Sequence, residues 1–158
     1  MLAELIIGGG CFWCTEAMFL CLDGVKTVES GYSGGTVKNP SYKEICTGET
    51  GHAECVRITY DPAKISYDDL IEIHLHSHDP TTLNRQGGDI GPQYRSVIFY
   101  KTDSEKMHLQ ARLKLAQKDF NQPIVTALEK LTIFYKAEDY HQNYYALNKD
   151  KNPYCQVV

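Results

Sequence analysis

Residues 3 to 14, Ala3-Glu4-Leu5-Ile6-Ile7-Gly8-Gly9-Gly10-Cys11-Phe12-Trp13-Cys14, govern how the chain is organised. The apolar run from Ala3 to Ile7 is halted by three glycines, and beyond them Trp13, Ala17, Leu20 and Cys21 recur at helical spacing. The segment reads as a strand, a glycine turn and a helix, with Cys11 at the helix start. Working outward, Val25 to Tyr32 reads as a second strand, and Gly34, Gly35, Asn39 and Pro40 carry the turn chemistry of a loop that holds Tyr42. A third strand alternates from Glu54 to Tyr60, with Glu54, Val56, Ile58 and Tyr60 on one face and Cys55, Arg57 and Thr59 on the other. Asp61-Pro62 ends it.

Ser66 to about His76 has helical periodicity, and a Gly-rich loop follows from Asp79-Pro80 to Pro92. Val97 to Tyr100 is a short apolar strand. Thr102-Asp103-Ser104-Glu105 matches a capping box, and Leu109, Leu113, Ala116 and Phe120 carry a helix to about Asp119. Ile124 to Lys136 offers two short strands, and Ala137 to Asn148 a Tyr-rich helical turn. This order predicts an α+β fold with a mixed sheet and helices packed on it.

At 158 residues and 42% hydrophobic, the chain is expected to form one domain over 1–158, with a mobile C-terminal tail at about 149–158. A net charge of −4, with acids and bases interspersed, argues against a nucleic-acid ligand. No apolar run approaches the roughly 18 residues of a membrane helix, and no basic segment precedes the first apolar stretch. No membrane association, a cytoplasmic location and a monomer are expected.

Six cysteines, at 11, 14, 21, 46, 55 and 155, suggest thiol chemistry or metal rather than a secreted disulfide framework. A zinc site favours two paired ligand clusters, and only Cys11 and Cys14 form a C-x-x-C. Of the histidines, only His74 and His78 share a helix face, so no metal is expected. Cys11 begins a helix after three glycines. There the free N–H groups and the helix dipole favour thiolate, the form that acts as nucleophile. Phe12 and Trp13 offer apolar faces for a group such as a methyl at a cleft mouth, or simply pack in the core.

Glu54 shares the inward strand face, where desolvation raises a carboxyl toward the range of a general acid; a strand-end residue reaching solvent is the alternative. Glu16 is a rival acid, explained equally by the dipole of a first helical turn. Cys14 lies one turn from Cys11, and Cys155 sits on the terminal segment; either is placed to pair with Cys11. Cys21 is expected in the core, and Cys46 and Cys55 as inert packing.

The string Gly10-Cys11-Phe12-Trp13-Cys14 with Glu16 resembles the signature of the A-type peptide methionine sulfoxide reductases. The resemblance continues through Gly31-Tyr32-Ser33-Gly34-Gly35, Asn39-Pro40-Ser41-Tyr42, Gly51-His52-Ala53-Glu54, Tyr60-Asp61-Pro62, His78-Asp79-Pro80-Thr81, Gln86-Gly87-Gly88-Asp89, Gln93-Tyr94-Arg95-Ser96 and Ala137-Glu138-Asp139-Tyr140-His141-Gln142. It implies a two-layer α/β sandwich with a ferredoxin-like core. It also implies reduction of the S-epimer of methionine sulfoxide, protein-bound or free, in repair of oxidised proteins under oxidative stress.

By the same resemblance, Cys11 attacks the sulfoxide sulfur and becomes a sulfenic acid. Glu54, aided by the hydroxyls of Tyr42 and Tyr94, protonates or hydrogen-bonds the sulfoxide oxygen. Phe12 and Trp13 cage the ε-methyl, and Asp89 orders the polar network. No bound cofactor is implied; thioredoxin, or dithiothreitol in vitro, opens the redox-active disulfide formed. Many relatives carry Gly where Cys14 stands, and many end in a longer tail with two cysteines. Here Cys155 is the expected resolving thiol, with Cys14 its rival. A thioredoxin-like dithiol exchanger built on Cys11 and Cys14, and a metal-binding module built on His and Cys, are the competing readings.

Overall fold

The computed structural model describes residues 1–144. Among the described residues, eight strands and four α-helices are formed. β1 (Ala3–Gly8), α1 (Phe12–Leu20), β2 (Val25–Ser33), α2 (Tyr42–Cys46), β3 (Ala53–Tyr60) and α3 (Tyr67–Ser77) come first. They are followed by the hairpin strands β4 (Arg85–Gln86) and β5 (Asp89–Ile90), then β6 (Val97–Tyr100), α4 (Asp103–Ala116), β7 (Ala127–Lys130) and β8 (Tyr135–Lys136).

The main sheet has the order β7-β6-β1-β3-β2-β8. β1 and β2 both run antiparallel to β3 between them, and β6 antiparallel to β1. The helices α1 and α3 therefore cross between parallel, non-adjacent strands, which is the split βαβ arrangement of a ferredoxin-like core. β7 joins the β6 edge in parallel and makes the sheet mixed.

Alternation along the strands divides the core into two layers. Leu5, Ile7, Val56, Ile58 and Ile98 face the helices and pack with Phe12 and Phe19 of α1, Leu70, Ile71 and Leu75 of α3, and Leu109 of α4. Ile6, Cys55, Val97 and Phe99 face the other way, under Leu131 and Phe134. Each fully buried side chain of this size is worth roughly 1.5–3 kcal/mol over its exposed state. The register Ile7↔Val56 and Tyr32↔Glu54 carries the helix-side face of β3 up to Glu54.

Three local expectations change. Ser41 opens a short helix with a complete capping box on Glu44, so Tyr42 begins α2 rather than lying on a loop. Thr102 caps α4 by accepting from Glu105 N, but the Glu105 carboxylate reaches the N–H of Lys101, one residue early, and the box is half made. Of the expected helical segment from Ala137 to Asn148, the described part holds a 3-10 turn at Asp139–His141 and Asn143 with φ of 56°, and residues 145–148 lie outside the described residues. The proposed tail at 149–158, with Cys155, lies outside the described residues.

Candidate active site

Everything in the site hangs on the turn between β1 and α1. Gly10 has φ of 84°, a conformation that L side chains rarely adopt, and its N–H donates to Tyr94 O at 3.1 Å. Cys11 is the N-cap of α1 and a partly exposed free thiol. The N–H groups of Trp13 and Cys14 do pull its pKa down, as the helix start predicts. They lose to two larger effects: burial, and the charge of Glu54 when that group is ionised, which together push the thiol up to about 12. The surroundings of the free site therefore work against the thiolate that the helix start favours.

Glu54 is 1% exposed, on the helix-side face that alternation assigned it. Its Oε1 accepts the N–H of Phe12 at 3.1 Å, and its Oε2, also buried, has no hydrogen-bond partner among the described residues. Burial, with Asp89 nearby, raises this carboxyl to about 8 against the opposing pull of the Phe12 N–H. Glu54 thus keeps a proton at neutral pH, with one oxygen free to donate it.

The other expected polar residues gather around the same two groups. Tyr94 ends the 3-10 turn Pro92–Tyr94, and its hydroxyl is pushed up by burial and by the charges of Glu54 and Asp89. Burial and Glu54 likewise raise Tyr42, whose main-chain N–H donates to Glu138 Oε2 at 3.0 Å. Asp89, on the β4-β5 hairpin, acts electrostatically on Cys11, Glu54 and Tyr94 alike. Five residues from five parts of the chain share one electrostatic neighbourhood.

The apolar wall differs from the expected cleft mouth. Phe12 is 1% exposed and lies beneath the surface, with Tyr32 5.7 Å and Tyr42 6.2 Å away between ring centroids. Trp13 is partly buried; its indole N–H donates to His141 Nδ1 at 2.9 Å, and Tyr144 stacks on it at 3.8 Å. Glu138 accepts from Tyr32 Oη at 3.0 Å as well as from Tyr42 N. His141 and Glu138 were not singled out from the sequence. The signal was present: two polar residues at i, i+3 in an aromatic segment.

Other expectations are corrected. Glu16 lies beyond the first turn of α1, so the dipole does not account for it. Buried at 1% exposure, it accepts Ser30 Oγ at 3.1 Å and the N–H groups of Asn143 and Tyr144. Cys21 and Cys46 are exposed free thiols rather than packing residues, whereas Cys55 is buried. Cys14 is disulfide-bonded while Cys11 is free, so no bridge joins these two in this state. The one group of potential metal donors among the described residues, Glu72, His76 and Asp119, is partly or fully exposed, and His76 already lies 3.5 Å and 3.3 Å from the two carboxylates.

The sequence profile of the peptide methionine sulfoxide reductases matches residues 3–158. The chain belongs to that family. It is 52% identical over 153 residues to "Peptide methionine sulfoxide reductase MsrA" of Sulfolobus acidocaldarius, covering 96% of this chain and 86% of that one. It is likewise 52% identical over 157 residues to the MsrA of Deinococcus radiodurans, covering 98% and 76%. In three dimensions the reductase resembles reduced Mxr1 of Saccharomyces cerevisiae, with a TM-score of 0.87, 35% identity and 97% and 87% coverage. Methionine sulfoxide reductase A of Corynebacterium diphtheriae gives 0.89 and 33%, covering 93% and 75%. A further Mxr1 structure is a complex with Trx2, at 0.65, 26% identity and 90% and 84% coverage.

The enzyme is thus an oxidoreductase that reduces methionine sulfoxide, on an α+β fold shared with those structures. No described helix is long and apolar enough to cross a membrane.

Proposed function

We propose that the enzyme reduces the S-epimer of methionine sulfoxide, free or in proteins, by attack of the Cys11 sulfur on the sulfoxide sulfur. The observation that carries this is the unpartnered Glu54 Oε2, one main-chain hydrogen bond away from the residue after Cys11. Glu54 donates its proton to the sulfoxide oxygen, and Tyr42 and Tyr94 donate hydrogen bonds to the same oxygen. The Cys11 sulfur bonds to the sulfoxide sulfur as its own proton passes to the Glu54 carboxylate; the sulfoxide S–O bond then breaks as the hydroxyl passes to the Cys11 sulfur and the S–S bond opens, so thiol and sulfoxide become sulfenic acid and methionine. Trp13, backed by Phe12 beneath it, holds the substrate's methyl, and Asp89 orders the polar groups around it.

Recycling then needs a second thiol. Cys11 sulfenic acid and a resolving thiol give a disulfide and water, and two electrons from thioredoxin, or dithiothreitol in vitro, open it. Cys155 is the proposed resolving thiol. The disulfide at Cys14 favours a relay in which Cys14 also takes part, because it leaves Cys11 free for another cycle. The complex of a structural relative with Trx2 supports thioredoxin as reductant. No bound cofactor is needed for this chemistry. Repair of oxidised proteins in the cytoplasm, by a monomer, fits this reading.

The test is turnover of separated S- and R-sulfoxide peptides with thioredoxin as reductant. The S peptide alone is reduced, and Cys155→Ser yields about one methionine per chain and then stops. Equal reduction of the R peptide overturns the epimer assignment, and full cycling by Cys155→Ser overturns the part given to that thiol.

A further inference from the structure

Behind the glycine turn lies a buried polar network that no step above uses. α3 carries His74 and ends at His78, its C-cap, and the two rings lie 4.3 Å apart between centroids. His74 is 1% exposed, and its Nε2 lies 2.8 Å from Gly8 O. A carbonyl only accepts, so this nitrogen carries the proton. His78 Nδ1 likewise donates to the carbonyl of His74, which leaves Nε2 to accept from the Ser96 hydroxyl at 2.7 Å. Ser96 Oγ is itself 2.8 Å from Thr126 Oγ1, which completes the chain of donors.

The network holds the turn at consecutive residues. Gly8 O is tied by His74. At Gly9 a Cβ would stand 2.8 Å from His78 Cδ2, so the imidazole lies directly against bare main chain. Gly10 N is tied to Tyr94 O, and Phe12 N to Glu54. Cys11 is thus suspended between anchored neighbours on both sides. Burial keeps both rings neutral: His74 is driven well below its ordinary value, and His78 falls to about 4 although the charge of Asp79 acts the other way. Among the described residues the buried Nδ1 of His74 has no partner, a cost that an apolar ring would avoid. What the imidazole gains is the bond to Gly8 O.

We propose that His74 and His78, braced by Ser96 and Thr126, are positioning residues for Cys11. They fix the Gly8–Gly10 turn and so the line along which the sulfur meets the sulfoxide. The inference rests on Cys11 as the attacking thiol. It is tested in the full chain with His78→Leu, His78→Asn, Ser96→Ala and Cys11→Ser, by single-turnover methionine formation from an S-sulfoxide peptide at several concentrations.

A misplacement of about 1 Å costs on the order of a hundredfold, so His78→Leu lowers the saturating rate tenfold to a hundredfold, with the half-saturating concentration changed less than about twofold. His78→Asn, whose amide still donates to the His74 carbonyl, recovers part of the rate. Ser96→Ala, which leaves both rings in place, slows the step by about threefold or more and carries the test if His78→Leu does not fold. Wild-type saturating rates in the folded variants, or a loss confined to half-saturation or thermal stability, overturn the positioning role. Methionine formation by Cys11→Ser overturns the nucleophile instead, so the two failures are distinguishable.

Discussion

The main-chain N–H of Phe12 donates to Glu54 Oε1 at 3.1 Å, and that single bond links the acid on β3 to the helix that begins beside the thiol. It spans 42 residues of sequence and leaves Glu54 Oε2 buried and without a partner among the described residues. A carboxyl in this setting holds one oxygen as acceptor and keeps the other for its proton.

Glu54→Gln retains an acceptor for Phe12 N but has no proton to give. Single-turnover reduction is expected to slow by about 10²–10⁴-fold, the usual worth of general acid catalysis. In the wild type the contribution of this acid is lost as pH rises through about 8. The variant lacks that dependence, which parallel pH–rate profiles will show.

The same substitution stabilises the fold. Between its ordinary 4.5 and about 8, the native Glu54 keeps a proton that the unfolded chain has lost, so stability falls as pH rises through this window. The cost above pH 8 is on the order of 5 kcal/mol, so Glu54→Gln should gain about 2–5 kcal/mol there and almost nothing at pH 4. Thermal unfolding at the two pH values measures the difference.

Cys11 is held up partly by the charge of Glu54. Its alkylation rate should keep rising past pH 9 in the wild type and be faster above pH 8 in Glu54→Gln. Peptide mapping of the alkylated thiol, against exposed Cys21 and Cys46, reports it.

Trp13 is the single tryptophan, and its indole N–H needs an unprotonated acceptor on His141. Burial lowers His141 below 6.5 although Glu138 opposes it, so the Trp13 fluorescence should titrate with a midpoint below pH 6.5. In His141→Leu that transition disappears. The half-saturating concentration for sulfoxide rises severalfold, on the order of one lost hydrogen bond.

Much of the fold was legible because period-two and helical patterns are local. β1, β3, β6 and α3 follow from apolar spacing alone, and the inward face of Glu54 follows from Val56, Ile58 and Tyr60. The pKa of Cys11 was not legible. A helix start is visible in three glycines and a cysteine, but the burial and the acidic neighbour that outweigh it come from distant β3. α2 was missed because five residues hold no periodicity, and only the Ser41–Glu44 box marks it. Glu138 and His141 act through Tyr42 and Trp13, contacts about 100 residues or more away in sequence that no spacing rule encodes.

The most direct test of the account is to trap the intermediate. A Cys14→Ser, Cys155→Ser double variant, given an S-sulfoxide peptide and a sulfenic-acid-specific dimedone probe, should yield about one methionine per chain and one adduct, on Cys11. Methionine formed with the adduct on another cysteine, or formed equally by Cys11→Ser, would contradict it.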